Sequence, residues 1–592
     1  MTMYTIFLYG TCVFSLLYAL LHISFAFDIS LLAMPLVLIF AGILFYFQYV
    51  FSMKKKGYNR ISVVKKLYQY LPFILLISFI LRRIGGNPTS HIADVCAVMC
   101  WVLVTVMSFV FQYVLSDKRV EKYIPEAKTY LEKNKNEKKT KTQKFFTETF
   151  EWIDAFIQAA FTVALLNIFI VQLYEIPSES MVPEFLIRDR VVVFKTASGP
   201  RFPMSDVGIP NIMSYDRGDI VVFRNPHYSK DRQSEARSFI SQLVHTLTFT
   251  MVNLNVDEEG NLKADPLVKR ITGLPGEQLM MQDGILYTRT ADQPRFTPVT
   301  EDSTWAEWNV ASLPENVLQD VRDIPLSESM YETMLQCEKT RNALRYEDVR
   351  QEALRLADEF ESLRNTLFGE DTSAGEVIKN TELFEYNFFS RVDEISRRLL
   401  TVEGGTKWFR EYMTRWIDAL PVDYEQNGEF LVGGDLYQDA NFRLNLMGKL
   451  AFGRLVVENA RLTKEKVPVA EWNANTVRKQ AMNDIEMIHQ YITLLDLRNM
   501  PVFPANNEDG SPNYIPADNY FMMGDNRFNS LDMRHSYEVK MVPLTSYDAY
   551  SLLYYSNSAP QYVSNKDILG TTVLRFWPFR RFGVPGLTGK KG

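Results

Sequence analysis

Hydrophobic residues are spread unevenly along this chain, and the long apolar runs are confined to its first third. A bilayer-spanning helix needs about 20 residues, and five runs approach or exceed that length. They lie near residues 4–26, 29–51, 67–84, 92–115 and 152–174. The pattern predicts four transmembrane helices within 1–116, a basic cytoplasmic segment over 117–150, and a fifth transmembrane helix over 151–174.

Basic residues between the runs predict the orientation, because Lys and Arg are retained on the cytoplasmic side. Six of them follow the second run: Lys54, Lys55, Lys56, Arg60, Lys65 and Lys66. The segment 117–146 holds ten Lys or Arg against five Asp or Glu. These charges predict a cytoplasmic N-terminus and place everything after the fifth span outside. Arg82 and Arg83 violate the pattern, although long basic side chains can snorkel toward headgroups.

The third run leaves an alternative open, because it has few residues to spare for crossing a bilayer. If it forms only an interfacial helix, the first two spans reverse their direction. The fifth span keeps its direction in both cases, since the basic segment immediately precedes it.

After residue 175 the apolar runs become short and are typical of β-strands. They cover 190–194, 219–223, the two arms of a hairpin over 279–287, 520–523 and 571–577. An Asp-Gly turn at 283–284 joins the arms of the hairpin.

Between about 305 and 500 the apolar residues recur at helical spacing instead. One such stripe consists of Leu356, Phe360, Leu363 and Leu367. The sequence therefore predicts a multi-domain membrane protein, with N-terminal transmembrane α-helices and a mainly-β domain. That domain comprises 175–304 and 506–592, and a helical insertion over 305–505 splits it.

Composition excludes several functional classes. The net charge of −6 gives no sign of nucleic-acid binding, and the chain has no glycine-rich phosphate loop or metal-ligand cluster. Of the four cysteines, Cys12, Cys96 and Cys100 lie in apolar runs, which leaves only Cys337 in the remainder. The soluble part therefore cannot form an internal disulfide, a finding compatible with any compartment.

Four segments carry the candidate chemistry. They read Ile176-Pro-Ser-Glu-Ser-Met-Val-Pro183, Arg217-Gly-Asp-Ile-Val-Val-Phe-Arg-Asn-Pro226, Val268-Lys-Arg-Ile-Thr-Gly-Leu-Pro-Gly-Glu277 and Phe521-Met-Met-Gly-Asp-Asn-Arg-Phe-Asn-Ser-Leu-Asp-Met-Arg534. In this order, directly after an outward span, they resemble the boxes of type I signal peptidases, the leader peptidases of peptidase family S26. The resemblance covers about 175–290 and 515–580. It does not extend to the first four spans or the helical insertion.

Serine is a poor nucleophile unless a base lies within hydrogen-bond reach. The four segments contain no histidine, so a Ser-His-Asp triad has no candidate base. A lysine can serve when it is neutral, and burial lowers the pKa of a lysine by up to about 3–5 units. Lys269 follows two apolar residues in a strand-like run, which suits burial. The resemblance implies that Ser180 is the acylated nucleophile and Lys269 the general base, a known Ser-Lys variant of the triad.

The resemblance also implies roles for the neighbouring residues. The backbone N–H of Ser180 and the hydroxyl of Ser178 correspond to the oxyanion hole, and Ser530 to the serine that hydrogen-bonds the lysine. Asp525, Asp532, Arg270 and Arg534 correspond to ion pairs that support the lysine strand. The substrate pocket corresponds to Tyr174, Ile176, Pro177, Met181 and Val268.

The function implied by the resemblance is removal of N-terminal signal peptides from exported preproteins by a membrane-bound serine endopeptidase. No metal or cofactor is implied. Expected partners are signal peptides and the lipid bilayer, with the secretion translocon as a further candidate and no nucleic acid. The expected location is the bacterial cytoplasmic (inner) membrane, with a multi-pass anchor and the catalytic domain on the extracytoplasmic side.

Two other functions compete with this one. The five spans also suit a transporter or a catalytically silent export-machinery scaffold that carries a degenerate peptidase domain. A self-cleaving repressor shares the Ser-Lys chemistry, but a membrane region does not suit a cytoplasmic DNA-binding protein. An aspartic protease is disfavoured, because Asp525 and Asp532 lack the paired Asp-Thr/Ser-Gly context.

The chain departs from the family pattern in several places. Glu184-Phe185 replaces the usual Thr-Leu, Met533 stands where a serine is common, and His535-Ser536 follow the last segment. A second Ser-Glu-Ser-Met occurs at 327–330, where no apolar run precedes it and a helical pattern begins. Ser327 is therefore expected to cap a helix rather than to belong to a second nucleophile motif.

Overall fold

The structure is a computed structural model. It describes residues 58–84, 91–114, 116–123, 129, 140–228, 232–248, 251–252, 254, 263–371, 373, 377–421, 424 and 430–586. The first two predicted spans, 4–26 and 29–51, lie outside the described residues.

The described N-terminal part is helical. It comprises α1 (Tyr58–Ile84), α2 (His91–Val114), α3 (Asp117–Tyr123) and α4 (Lys141–Phe169). By length and composition, α2 and α4 could each cross a bilayer, whereas α1 contains only a shorter apolar stretch, Tyr68–Ile77. Two such helices are weak evidence for a membrane protein, so the multi-pass arrangement stays a prediction.

Helix α4 corresponds to the fifth predicted span but ends before residue 174. Helix α4 begins at Lys141, inside the segment assigned to the cytoplasm, and its N-cap Thr140 forms a capping box with Gln143. It ends at Phe169, and strand β1 (Val171–Glu175) follows at once. Hydropathy could not locate this helix end, because β1 continues the apolar run and is defined by its pairing with β2.

The ends of α1 and α2 contact the loop that follows the second strand. The Arg83 side chain lies 3.3 Å from the Asp94 carboxylate, and its Nε donates to the Met204 carbonyl at 2.5 Å. An apolar cluster that includes Leu75, Ile168 and Phe202 joins the same parts. Arg83, which violated the charge pattern, is therefore paired rather than left facing lipid.

Thirteen strands are described. They are β1, β2 (Arg190–Phe194), β3 (Ile220–Phe223), β4 (Leu267–Gly273), β5 (Glu277–Gln282), β6 (Ile285–Thr290), β7 (Thr297–Pro298), β8 (Met500–Phe503), β9 (Asn519–Met523), β10 (His535–Pro543), β11 (Leu553–Ser558), β12 (Val563–Ser564) and β13 (Ile568–Trp577). Seven of them form one antiparallel sheet in the order β1-β2-β13-β3-β4-β9-β12. Strands that precede the helical part in sequence and strands that follow it are thus paired within one sheet.

Two smaller antiparallel sheets complete the β-structure, β7-β6-β5-β8 and the hairpin β10-β11. Asp283 and Gly284 join β5 to β6 with positive φ values of 54° and 75°. That pair of left-handed residues is what an Asp-Gly hairpin turn requires.

The remaining helices lie mostly between β7 and β8. They are α5 (Arg232–Leu247), α6 (Glu315–Leu318), α7 (Glu328–Asn342), α8 (Tyr346–Phe368), α9 (Glu385–Ser390), α10 (Val392–Thr401), α11 (Gly405–Thr414), α12 (Leu436–Lys464), α13 (Thr476–Thr493) and α14 (Leu495–Arg498). The stripe residues Leu356, Phe360 and Leu363 lie on α8 and are buried in a large apolar core. Ser327 caps α7 by accepting from Met330 N, which confirms the expected helix cap.

Candidate active site

Ser180 and Lys269 meet although 89 residues separate them in sequence. Ser180 lies in the loop between β1 and β2, and Lys269 lies on β4, with β3 and β9 on either side. Lys269 Nζ is 2.5 Å from Ser180 Oγ, and the residues are 3% and 8% exposed. The apolar sequence around Lys269 thus places a lysine inside a sheet, in contact with the serine.

The environment of Lys269 favours the neutral amine. Burial lowers its pKa to about 8, and the positive charge of Arg534 acts in the same direction. The carboxylates of Asp532 and Asp525 oppose the shift. Within the described part of the chain, no carboxylate lies close enough to form an ion pair with Lys269, so burial prevails.

The backbone around Ser180 is fixed by the last of the four segments. Asn526 N donates to the Ser180 carbonyl at 3.1 Å. A Cβ on Gly524 would collide with the same carbonyl and with Ser530 Oγ, so only glycine permits this close approach. The hydroxyl of Ser178 is 3.4 Å from Ser180 Oγ, on the exposed side of the loop.

Two buried ion pairs flank the lysine. Arg270 binds Asp525 through two hydrogen bonds of 2.8 and 2.6 Å, and Arg534 binds Asp532 through two of 2.8 and 3.0 Å. Burial alone would raise the pKa of Asp532, but Arg534 holds it well below its ordinary value. Asp532 also accepts from Gly524 N at 2.9 Å, so its charge orders the turn beside the nucleophile.

Ser530 does not make the expected contact. Its hydroxyl is buried against Gly524 and has no hydrogen-bond partner among the described residues. The expected Ser530–Lys269 hydrogen bond is therefore not formed in this structure.

The five predicted pocket residues differ in exposure. Ile176 and Met181 are almost completely buried in one apolar cluster, with Tyr174 and Val268 packed against it. Pro177 is exposed at the surface of the loop between β1 and β2, here called the nucleophile loop because it carries the candidate nucleophile Ser180. Four of the five thus share a cluster beside Ser180, and Pro177 lies outside it.

Four further features were missed in the sequence analysis. Arg527 forms a buried ion pair with Asp302 at 2.6 Å, and Glu184 lies 3.8 Å from Arg270. Asn526 donates a hydrogen bond to the Glu179 carbonyl, and the Glu179 carboxylate accepts from the backbone N–H groups of Arg322 and Asp323. These contacts hold the nucleophile loop. No apolar run surrounds Glu179 or Asp302 in the sequence, so their burial had no signal comparable to that of Lys269. Among the described residues, no group of three His, Cys, Asp or Glu side chains is arranged to hold a metal.

The comparison with known proteins matches two separate parts of this chain. The family model described as signal peptidase, peptidase S26, matches residues 149–337 and 454–577, which together make up more than half of the chain. The residues between the two matches, 338–453, are all within the helical part.

The relatives found are all signal peptidases I. That of Pseudomonas aeruginosa is 30% identical over 133 residues, 22% of this chain and 46% of the relative. That of Buchnera aphidicola subsp. Baizongia pistaciae is 30% identical over 140 residues, 24% and 40% of the two chains, and that of Pseudomonas fluorescens is 36% identical over 76 residues, 13% and 27%. The chain thus spans less than half the length of the curated relatives it matches. The family match over most of the sheet, together with the Ser180–Lys269 contact, leads to one conclusion: this chain belongs to the signal peptidase family, peptidase S26.

Proposed function

We propose that the protein is a membrane-bound serine endopeptidase that removes N-terminal signal peptides from exported preproteins. One observation carries the proposal: a buried lysine whose pKa is lowered to about 8 lies 2.5 Å from a serine hydroxyl. The names of the relatives supply the substrate class, signal peptides.

The reaction begins when Ser180 Oγ attacks the scissile carbonyl carbon and Lys269 Nζ accepts the hydroxyl proton. The tetrahedral intermediate collapses, the C–N bond breaks, and Lys269 returns the proton to the leaving amine. The acyl-enzyme ester on Ser180 is then attacked by a water molecule that gives its proton to Lys269. The bond between the acyl carbon and Ser180 Oγ then breaks, Lys269 returns the proton to Ser180 Oγ, and release of the new carboxyl end restores both residues.

Donors for the developing oxyanion are proposed to be the Ser180 N–H and the Ser178 hydroxyl. Such donors act best when they are fixed in advance, and the Asn526 contact to the Ser180 carbonyl fixes this backbone. Small side chains before the scissile bond would occupy shallow apolar pockets beside Ser180, near Tyr174 and Val268. An extended substrate would add to an exposed strand through main-chain hydrogen bonds, which requires little sequence specificity.

Membrane attachment is supported by the apolar side chains that α2 and α4 expose. They include Ile92, Met99, Val106 and Phe109 on α2, and Phe145, Phe150, Trp152 and Phe156 on α4. An apolar surface of this extent on a monomer is typical of lipid or protein contact. We propose the inner membrane, with further spans before α1, the catalytic sheet outside, and the translocon as an optional partner.

A silent export scaffold is the second candidate, and the five predicted spans are the feature that suggests it. A scaffold would have no need of a neutral lysine in contact with a serine, since burying a lysine without a carboxylate is unfavourable. The contact therefore favours the enzyme.

The test is cleavage of a preprotein by the purified full chain in phospholipid vesicles, with the product N-terminus sequenced. Ser180→Ala and Lys269→Ala should each abolish cleavage and leave the protein folded. The chain supplies a matched control, because Ser329 occupies the equivalent position in the second Ser-Glu-Ser-Met and is exposed. Ser329→Ala should cleave like the wild type, and cleavage by Ser180→Ala would refute the proposal.

A further inference from the structure

Residues 302–323, here called the strap, follow β7, include the start of the helical insertion and lie against the segments that hold Ser180. The strap begins at Asp302, whose carboxylate forms the buried ion pair with Arg527. Glu307 N then donates to the Asp525 carbonyl at 2.7 Å, and Arg527 N donates to the Glu307 carbonyl at 3.1 Å. The strap is thus paired with the segment that holds the nucleophile backbone.

Apolar contacts hold the middle of the strap against the nucleophile loop. Val310 packs with Val182 and Leu186, and all three are buried. Four more strap residues cover this cluster: Leu313, Val317, Leu318 and Val321. The loop that carries Ser180 therefore has a side that is covered only when the strap is in place.

Glu179 links the end of the strap to the nucleophile. Its side chain is buried, and its carboxylate accepts hydrogen bonds from the backbone N–H groups of Arg322 at 2.5 Å and Asp323 at 3.0 Å. From the other side, Asn526 Nδ2 donates to the Glu179 carbonyl at 3.1 Å, and Asn526 N donates to the Ser180 carbonyl. The peptide unit before Ser180 is therefore held from two directions.

We propose that Glu179 is a positioning residue and that the strap holds Ser180 in place for attack. The inference rests on the proposed peptidase function, and it gives the start of the helical insertion a role in that function. Glu179 does not touch the reacting atoms. It acts through the backbone of Ser180.

The two strap N–H groups face a buried carboxylate with two acceptor oxygens, which satisfies both donors. Gln at this position would keep the shape but leave one N–H facing an NH₂ group. The mismatch would push the loop away from the strap and move Ser180 Oγ from Lys269 Nζ. Reactions of positioned groups are sensitive to such displacement, and about 1 Å can cost about 100-fold in rate.

The experiment measures kcat, KM and the pH profile for Glu179→Gln in the full chain with a quenched-fluorescent signal-sequence peptide. We expect kcat to fall by about 10- to 100-fold. KM should stay within about twofold, and the acidic limb of the profile should keep its midpoint, because Lys269 is unchanged. Glu315→Gln, an exposed carboxylate on the same strap, is the matched control and should behave like the wild type.

Val310→Ala is the second variant, for use if Glu179→Gln does not fold, and it should also lower kcat more than it changes KM. Equal kcat for Glu179→Gln and wild type would overturn the inference, as would a rise in KM alone or a loss that simply follows the folded fraction. If the wild type shows no Ser180-dependent cleavage, the proposed function itself fails and the inference fails with it.

Discussion

The catalytic sheet and the helical insertion each bury a lysine, and the two lysines have different neighbours. Lys269 contacts the Ser180 hydroxyl and has no ion-pair partner among the described residues. Lys449 on α12 is 1% exposed and lies 2.9 Å from the Asp548 carboxylate. It also donates to the carbonyls of Tyr412 and Tyr550, at 2.7 and 3.2 Å.

Under the proposed function, the difference separates a candidate general base from a lysine that stabilises the fold. Burial lowers the pKa of both, but a contacting carboxylate opposes the shift only at Lys449. Asp548 comes from the segment between β10 and β11, so the Lys449 ion pair joins the insertion to the β-domain. Burial alone is therefore a poor sign of catalysis, and the identity of the contacting group decides the role.

Lys269→Met should produce the largest effect and should change activity and stability in opposite directions. Loss of the base should lower kcat by a factor on the order of 10⁴ or more. Stability should increase at pH 7, because the folded-state pKa of Lys269 is about 8 and the ordinary value is 10.5. Below pH 8 this shift costs about 3 kcal/mol of unfolding free energy, which methionine removes.

The pH dependence of the stability difference is the control. Between pH 8 and 10.5 the unfolded chain binds more protons than the folded chain, so the unfolding free energy of the wild type rises with pH. The advantage of Lys269→Met, measured by thermal unfolding, should therefore shrink across this window. A variant that is less stable than the wild type at pH 7 would contradict the assignment.

The contact between Ser180 and Lys269 could be predicted from sequence because each residue lies in a short motif. The segment 176–183 was enough to identify Ser180, and the apolar residues around Lys269 predicted that its side chain is buried. The strap could not be predicted, since its contacts to Glu179 and Arg527 join segments that are distant in sequence. The β10–β11 hairpin was also missed. Most side chains of β10 are exposed, and the alternation of Tyr537, Val539 and Met541 with Glu538 and Lys540 is the signal that could have found it.

Lys449→Met should show the reverse of Lys269→Met. The Asp548 carboxylate would stay buried without its cation, and breaking such a pair costs about 3–5 kcal/mol. The midpoint of thermal unfolding should therefore fall, while kcat per folded molecule stays near that of the wild type. The double variant Lys449→Met, Asp548→Asn should recover part of the loss. If the single variant Lys449→Met were as stable as the wild type, the Lys449–Asp548 ion pair would not be what stabilises the insertion.

Activity should depend on the protonation of Lys269. Only the neutral amine can accept the serine proton, so the rate should fall about tenfold per pH unit below pH 8, reaching about 100-fold lower at pH 6. Above pH 8 the rate should level off. The measurement is kcat/KM between pH 5.5 and 10 at constant ionic strength, and a profile that stays flat over this range would exclude a lysine base.

Ser327→Ala should produce the smallest effect, and it completes the comparison between the sheet and the insertion. Ser327 begins the second Ser-Glu-Ser-Met, and its hydroxyl accepts from Met330 N at the start of α7, at 3.3 Å, and lies 3.2 Å from the Ser329 hydroxyl. Losing a serine cap costs about 1 kcal/mol, so thermal unfolding should shift by a few degrees at most. Cleavage should not change, because the structure places no lysine beside this motif among the described residues. A large loss of cleavage in Ser327→Ala would mean that α7 controls the strap, since the strap ends four residues before Ser327 and holds Glu179 through its last two N–H groups.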